Sequence, residues 1–288
     1  MPNVRATVGQ AVVRFLAAQY SERDGVRRRL IPGVWAIFGH GNVAGLGQAL
    51  EELGDELDLP TYRPQNEQAM VHVAAAYAKH TNRLSTFACT ASIGPGSANM
   101  LTAAAAATIN RLPVLLLPSD LFANRRPDPV LQQLEHPLEH DVTVNDAFRP
   151  LSRFFARVDR PEQLLSVLPA AMRVLTDPAG TGAVTIALPE DVQTEAYDWP
   201  EELFRERVWR VARPVPEPEA VAEAARLLRE AERPLIVAGG GVIYSEATEE
   251  LAAFAERHGV PVVETQAGKG ALPWDHPWNA GPVGASGG

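Results

Sequence analysis

The sequence predicts an α/β fold in which a parallel sheet is flanked by helices. Short aliphatic runs alternate with segments of helical periodicity, at lengths typical of strand–helix–strand units. Two glycine-rich turns directly follow two of the predicted strands. Alternation of this kind implies parallel strands that are covered on both faces. The 288 residues, 46% of them hydrophobic, are enough for two domains that each have a core.

The elements of the first domain follow from local sequence patterns. Thr7 and Gln10 form a capping box, which predicts a helix that begins at residue 8. Aliphatic runs predict the strands, and three-and-four apolar spacing predicts the helices between them. In chain order after the first helix, we expect a strand over 34–38, a helix to about 57, an extended piece at 62, a helix from 67, a strand over 85–90, a helix over 100–110, a strand over 114–117, a helix over 161–176 and a strand over 183–187.

Composition predicts three parts of the chain: a domain over 1–190, a linker over 191–218 and a partial central domain over 219–288. The linker is rich in proline, acidic residues and tryptophan. The last part holds two predicted strands and two predicted helices, which cannot close a doubly wound sheet, so we expect the start of a Rossmann-like α/β domain. A long polar loop over 121–150 is of a length that is usually functional or disordered.

Charge and cysteine content narrow the class of protein. A net charge of −9 argues against nucleic acid or an anionic membrane as the partner. Cys89 is the single cysteine, which excludes an intrachain disulfide and favours a reducing, cytoplasmic compartment. The first residues lack the apolar core of a signal peptide, and no run reaches the length of a membrane span.

The helix that begins at Glu67 is the central feature of the chain. Met70, Val71, Ala74, Ala75 and Ala78 recur with the spacing of one helical face, and Glu67 lies on the same face. Two interpretations remain open for this carboxylate. It can complement the helix dipole with its head in water, or it can be buried, in which case it needs a partner.

The two glycine-rich turns are candidates for ligand binding. The turn Gly39–Ala44 formally matches a G-x-G-x-x-A dinucleotide fingerprint, but no strand precedes the acidic residue Asp58, so we interpret it as a turn that shapes a pocket. The run Ser92–Asn99 (Ser-Ile-Gly-Pro-Gly-Ser-Ala-Asn) leads into a helix whose free N–H groups can meet a ligand. No firm metal-ligand spacing occurs, and the acidic and histidine run over 135–140 is interpreted as a solvated loop.

Three stretches together resemble the pyrimidine-binding domain of thiamine diphosphate enzymes of the acetohydroxyacid synthase type. They are Phe38 to Gly41, Asn66 to Gln68 with Tyr77 and Ala78, and the run Ser92–Asn99. Longer runs at 37–50, 126–133 and 264–270 resemble the hydrolases of inositol catabolism that open the ring of a trihydroxylated cyclic dione.

The resemblance implies a role for each matching residue. Glu67 is expected to hydrogen-bond a ring nitrogen of the aminopyrimidine of thiamine diphosphate and to act as the catalytic residue. The other cofactor-binding residues are expected to be Ser92, Gly94, Pro95, Gly96 and Asn99. From their places at a strand end and in the long polar loop, we further expect His40, Asn42 and Gln132 or Gln133 to face the substrate, a polyhydroxylated cyclic diketone.

The resemblance also implies what lies outside these residues. The family holds Mg²⁺ and the diphosphate through a Gly-Asp-Gly motif in a C-terminal domain, and this motif does not occur in the chain. We therefore expect the pyrimidine half of a site that is shared within a homo-oligomer, a dimer or a tetramer. Three alternatives remain: a thiamine diphosphate lyase or synthase acting on another 2-oxo compound, a noncatalytic dimerising fragment, and a nicotinamide-binding protein.

Overall fold

The computed structural model describes residues 2–124, 131, 132, 134, 136, 138, 139 and 141–285. The chain divides into two compact units, Met1–Ala212 and Arg213–Gly288. Within the described ranges, every helix is too short or too polar to cross a membrane.

The first unit contains both strands and helices. Its strands in chain order are β1 (Asn3–Thr7), β2 (Gln19–Arg23), β3 (Val26–Arg29), β4 (Val34–Ala36), β5 (Thr61–Tyr62), β6 (Ala88–Ala91), β7 (Val114–Asp120), β8 (Phe154–Arg157), β9 (Ala183–Pro189), β10 (Ala196–Pro200) and β11 (Arg207–Arg210). Its α-helices are α1 (Val8–Ala17), α2 (His40–Asn42), α3 (Gln48–Leu53), α4 (Glu67–His80), α5 (Pro95–Ala98), α6 (Leu101–Ile109), α7 (Leu164–Leu175) and α8 (Glu190–Thr194). A π-helical turn spans Val43–Gly47, and 3₁₀ turns span Val144–Leu151, Pro161–Gln163 and Glu201–Phe204.

The main sheet confirms the predicted parallel sheet flanked by helices. Its strand order is β5-β4-β6-β7-β9-β8, and every neighbouring pair is parallel. All residues of β7 and β9 are buried, as expected for central strands with helices on both faces. Since the strands are parallel, the turns that follow β4, β6 and β7 leave the sheet at the same edge.

Two helical layers cover this sheet. Leu115 and Leu117 of β7 belong to a core that includes α1, α3 and α7. Helices α4 and α6 pack against each other, and α4 also packs on β6 and β7. The buried residues of α4 are the five that the helical spacing predicted. The capping box at Thr7 is also confirmed, since Thr7 Oγ1 accepts from the N–H of Gln10 and Gln10 Oε1 accepts from the N–H of Thr7.

The predicted linker over 191–218 is wrong in its first part. Strand β10 pairs antiparallel with β1, and β11 pairs parallel with β2, so the segment as far as Arg210 belongs to the first unit. Composition misled the prediction because proline and charged residues also occur on the edge strands of sheets. Strand β8, at the edge of the main sheet, falls outside the sequence predictions altogether.

The second unit is a small parallel α/β arrangement. Its elements are α9 (Pro218–Glu230), β12 (Ile236–Ala238), α10 (Gly240–Tyr244), α11 (Thr248–His258), β13 (Val262–Glu264), a 3₁₀ turn (Gln266–Gly268) and β14 (Asn279–Pro282). The strand order is β12-β13-β14 and both pairs are parallel. The third strand, β14, was not predicted.

Replacing Trp199 tests whether β10 is part of the first unit. Its indole is fully buried and its Nε1–H donates to the carbonyl oxygen of Ala6 at 2.9 Å. We expect Trp199→Ala to lower the free energy of unfolding by about 3–5 kcal/mol, the usual cost of truncating a buried aromatic side chain. Urea unfolding followed by circular dichroism measures this loss.

Trp274 provides the matched control because its side chain is 89% exposed. Trp274→Ala should change the free energy of unfolding by no more than about 0.5 kcal/mol. Equal, small effects of the two substitutions would contradict the placement of β10 in the core.

Candidate functional site

A cavity of about 690 Å³ lies at the carboxyl edge of the main sheet. The turns after β4 and β6 form two of its walls, and the start of α4 forms another. This edge is where ligands bind in open α/β sheets. The lining residues are Ile37, Phe38, Gly39, Glu67, Ser92, Pro95, Gly96, Ala98, Asn99 and Gln132.

Glu67 is the first residue of α4 and carries the one carboxylate among the lining residues. Asn66 caps the helix, since its Oδ1 accepts from the N–H of Ala69 at 3.0 Å. The Glu67 side chain is half-buried, and its Oε2 accepts a hydrogen bond from Nδ2 of Asn99 at 2.8 Å. No hydrogen bond from the described part of the chain reaches Oε1. The carboxylate is therefore held in place and keeps one oxygen for a ligand.

The turn Ser92–Asn99 approaches Glu67 closely. Gly94 has φ +63°, a conformation that favours glycine, and a Cβ there would collide with the carbonyl oxygen of Gln132. A Cβ on Gly96 would lie 3.5 Å from Oε1 of Glu67, so the missing side chain leaves room beside this oxygen. Ser92 is buried, and its Oγ has no hydrogen-bond partner among the described residues. A buried hydroxyl without a partner is unusual in a protein interior.

The turn after β4 is held by Asn42. Its Nδ2 donates to the carbonyl oxygen of Ile37 and to Oγ1 of Thr90, and its Oδ1 accepts from the N–H of Gly39. The side chain is fully buried. This geometry argues against the predicted contact of Asn42 with substrate, because both ends of its amide are already hydrogen-bonded within the chain.

The other predicted substrate residues differ in their positions. Gln132 lines the cavity, whereas Gln133 lies outside the described residues. His40 is half-buried beside the lining residue Gly39, and its Nε2 is a buried nitrogen without a partner in the described structure. His40 does not itself line the cavity, so its contact with substrate stays a prediction.

Charged residues at the same sheet edge hold the end of the loop that follows β7. Arg157 of β8 donates to Asp120 and to Asp146, each at 2.8 Å, and to Oγ1 of Thr143 at 2.8 Å. Burial opposes the charge of Arg157, but the two carboxylates outweigh it and raise its pKa. Burial likewise opposes ionisation of Asp146, but the N–H of Thr143 and the Arg149 and Arg157 guanidinium groups lower its pKa. These contacts hold the end of the loop to β8 and were not predicted from the sequence.

The remaining candidates do not point to metal or thiol chemistry. Among the described residues, no group of three or more histidine, cysteine or acidic side chains is arranged to hold a metal ion. The predicted run over 135–140 lies partly outside the described residues. Cys89 is fully buried, and burial raises the pKa of its thiol, which disfavours the reactive thiolate.

Comparison with known protein families gives two matches along the chain. Residues 33–140 match the N-terminal TPP binding domain of thiamine pyrophosphate enzymes, and residues 221–288 match their central domain. The chain belongs to the thiamine pyrophosphate enzyme family. The cavity lies within the first matched region, since its lining residues fall between Ile37 and Gln132.

Curated relatives align with the entire chain. It is 54% identical over 287 residues to a protein of Geobacillus thermodenitrificans named 3D-(3,5/4)-trihydroxycyclohexane-1,2-dione hydrolase. It is 52% identical over 287 residues to a protein of the same name from Clostridium tetani and to one numbered 1 from Bacillus cereus. The alignments cover 100% of this chain but only 44–45% of the relatives, so the chain spans less than half of their length.

The cavity fits the aminopyrimidine end of thiamine diphosphate, the cofactor of this family. Glu67 Oε1 is available to a ring nitrogen, and the space beside it is kept open by Gly96. The hydroxyl of Ser92 supplies a polar group that the chain itself leaves without a partner. The sequence predicts no role for Ile37 or Ala98. It places Phe38 at the end of a strand and Gly39 in a turn that shapes a pocket, and both residues line the cavity.

Alanine substitutions at two neighbouring glycines test the packing of this turn. We expect Gly94→Ala to lower the free energy of unfolding by more than about 1 kcal/mol, since its positive φ and the Gln132 carbonyl leave no room for a methyl group. Gly96→Ala should leave stability unchanged or raise it by about 0.4–1 kcal/mol, because it lies in α5 and its Cβ makes ordinary contacts. Urea unfolding of both variants measures the difference. A neutral Gly94→Ala would contradict the contact between the turn and Gln132.

Proposed function

We propose that the chain is the pyrimidine-binding part of a thiamine diphosphate-dependent hydrolase that opens the ring of 3D-trihydroxycyclohexane-1,2-dione in inositol catabolism. The observation that carries the proposal is the Glu67 carboxylate, fixed by Asn99 at a cavity between two glycine-rich turns. The names of the relatives supply the substrate and the reaction class. Because the chain spans less than half of those relatives, the activity is proposed for a longer polypeptide.

Glu67 is the proposed catalytic residue. Thiamine diphosphate, when bound, supplies a carbon nucleophile for addition to a carbonyl group. Oε1 of Glu67 would hold and exchange a proton at a ring nitrogen of the aminopyrimidine, while Oε2 stays hydrogen-bonded to Asn99. A carboxylate that is fixed by one oxygen and open at the other is suited to this proton exchange.

The remaining residues would bind and orient the two ligands. We assign cofactor contacts to Ser92, Pro95, Gly96 and Asn99, with Gly94 setting the turn that carries them. Gln132 and His40 are the proposed substrate residues, since one lines the cavity and the other adjoins it. In the proposed reaction one water molecule is consumed as the bond between the two carbonyl carbons breaks. One carbon becomes a carboxylic acid and the other an aldehyde, which gives an open-chain deoxy-uronic acid.

The same proposal includes the metal ion, the oligomeric state and the cellular compartment. We expect Mg²⁺ to hold the cofactor diphosphate through residues beyond these 288, in a site completed within a homo-oligomer. Diphosphate and Mg²⁺ carry most of the charge of the cofactor complex, and the lining residues supply no basic side chain. The proposed compartment is the cytoplasm, which the single buried cysteine favours.

The substitution Glu67→Gln tests the catalytic assignment. Glutamine has nearly the same shape and can accept the Asn99 hydrogen bond, but it cannot exchange a proton with a ring nitrogen. In a full-length enzyme that contains these residues, we expect kcat to fall by about 10²–10⁴-fold, the usual contribution of proton-transfer groups. The loss should fall on kcat more than on KM, and exchange of the cofactor C2 proton, followed by NMR, should slow in parallel.

Glu162→Gln provides the control, since Glu162 is an exposed glutamate in the first turn of a short helix. It should leave turnover and exchange unchanged. Normal C2 exchange in a folded Glu67→Gln enzyme would remove Glu67 from the catalytic role. Turnover of pyruvate in place of the cyclic dione by the parent enzyme would instead favour a lyase or synthase.

Binding of thiamine diphosphate to the 288-residue chain tests whether the diphosphate site lies outside these residues. We expect weak binding and no turnover, because the lining residues offer the diphosphate no cationic partner. Isothermal calorimetry with and without Mg²⁺ measures the affinity. Tight binding that depends on Mg²⁺ would contradict the proposal that the diphosphate site lies outside these residues.

A further inference from the structure

A buried glutamine on α8 reaches the turn that carries Gly39 and His40. Gln193 is fully buried, and its Nε2 donates to the carbonyl oxygens of Gly41 and Leu188, each at 2.9 Å. Its Oε1 accepts from the N–H of Leu46 at 3.2 Å. The side chain therefore uses both amide ends, and two of its three bonds go to one turn that lies about 150 residues earlier in the chain.

The turn packs closely on its surroundings, and the Gln193 side chain is one of the surfaces that it contacts. A Cβ on Gly41 would lie 2.9 Å from the backbone nitrogen of Ile93, and a Cβ on Gly9 of α1 would lie 2.8 Å from the backbone of Gly45. A Cβ on Gly45 would collide with the Gln193 side chain itself. The turn is thus packed by its backbone against α1, against the wall that contains Ser92, and against Gln193.

The irregular geometry of the turn explains why it needs such a support. Residues Val43–Gly47 form a π-helical turn, in which the regular hydrogen bonds of an α-helix are replaced. The N–H of Leu46, inside this turn, donates to the side chain of Gln193. Loss of Gln193 would leave the buried N–H of Leu46 and the carbonyl oxygen of Gly41 without these partners, which lowers the stability of the folded turn.

A second side chain of the same short helix holds a different loop. Asp191 accepts hydrogen bonds from the N–H groups of Ala123 at 3.0 Å and Asn124 at 2.8 Å, at the start of the loop after β7. Residues two positions apart on a helix point to different sides. Helix α8 therefore contacts one loop through Asp191 and the glycine-rich turn through Gln193.

We propose that Gln193 is a positioning residue that sets the turn 39–47 and, through it, the cavity wall at Gly39 and the neighbouring His40. The role in substrate binding rests on the proposed function, whereas the control of the turn does not. Gln193 touches neither the cavity nor a predicted ligand. It acts through the backbone of Gly41 and Leu46.

Hydrogen exchange of the 288-residue chain tests the control of the turn directly. Gln193→Met keeps the length of the side chain but removes its donor and acceptor. We expect the amide of Leu46 to exchange at least about tenfold faster, since its hydrogen-bond acceptor is lost, while the amides of β7 and β9 keep their rates. Asp191→Leu is the reciprocal control: it should speed exchange at Ala123 and Asn124 and leave Leu46 unchanged.

Kinetics of a full-length enzyme that contains these residues test the effect on the site. We expect Gln193→Met to raise KM for the cyclic dione about tenfold or more, with a smaller change in kcat, because the wall moves while Glu67 stays in place. A residue that only stabilises the fold would lower the amount of active enzyme and leave KM unchanged. Gln163→Met, at a glutamine that bonds the N–H of Arg160 near the surface, should change neither parameter.

The outcomes separate the two proposals. Unchanged exchange at Leu46 in Gln193→Met would overturn the positioning role, even if the parent enzyme hydrolyses the dione. Faster exchange at Leu46 together with a parent enzyme that does not act on the dione would overturn the proposed function alone. If Gln193→Met does not fold, Gln193→Asn takes its place, since its shorter amide cannot reach both Gly41 and Leu46, and the same shift in exchange is expected.

Discussion

Close backbone packing at the carboxyl edge of the main sheet is the constraint on which the candidate site depends. The turn after β4 and the turn after β6 meet with so little space that a methyl group on Gly41 would strike the backbone of Ile93. With side chains removed from the contact, the backbone of one turn can lie directly against the other. The cavity beside Glu67 exists because these two turns are held together while Gly96 leaves its own side empty.

Buried polar side chains stabilise this arrangement. Asn42, Gln193 and Asp191 each satisfy backbone groups of irregular segments, which would otherwise be buried without partners. Asn99 donates a hydrogen bond to the carboxylate of Glu67. Two of the buried polar atoms that have no partner among the described residues, Ser92 Oγ and His40 Nε2, lie in the same two turns. These two atoms and Oε1 of Glu67 are therefore available for further hydrogen bonds.

Much of the fold could be predicted from the sequence because its central elements have strong periodicity. The buried face of α4 and the all-buried strands β7 and β9 follow from apolar spacing alone. The edge strand β8 and the pairing of β10 and β11 with β1 and β2 could not be predicted, since they depend on contacts between distant parts of the chain. The same limit applies to the site. The predicted site residues Glu67, Ser92 and Asn99 stand in local motifs, whereas Gln193 and Arg157 act through hydrogen bonds to segments far away in sequence.

The central claim is that the Glu67 carboxylate meets the aminopyrimidine of thiamine diphosphate. The measurement that tests it most directly is the distance between them in a crystal structure of a full-length enzyme that contains this chain, grown with the cofactor and Mg²⁺. We expect a carboxylate oxygen of Glu67 at about 2.5–3.2 Å from a ring nitrogen, within hydrogen-bonding distance, with Gly96 beside the ring and Asn99 still bonded to the other oxygen. An aminopyrimidine bound elsewhere, with the Glu67 carboxylate facing only water, would contradict the account.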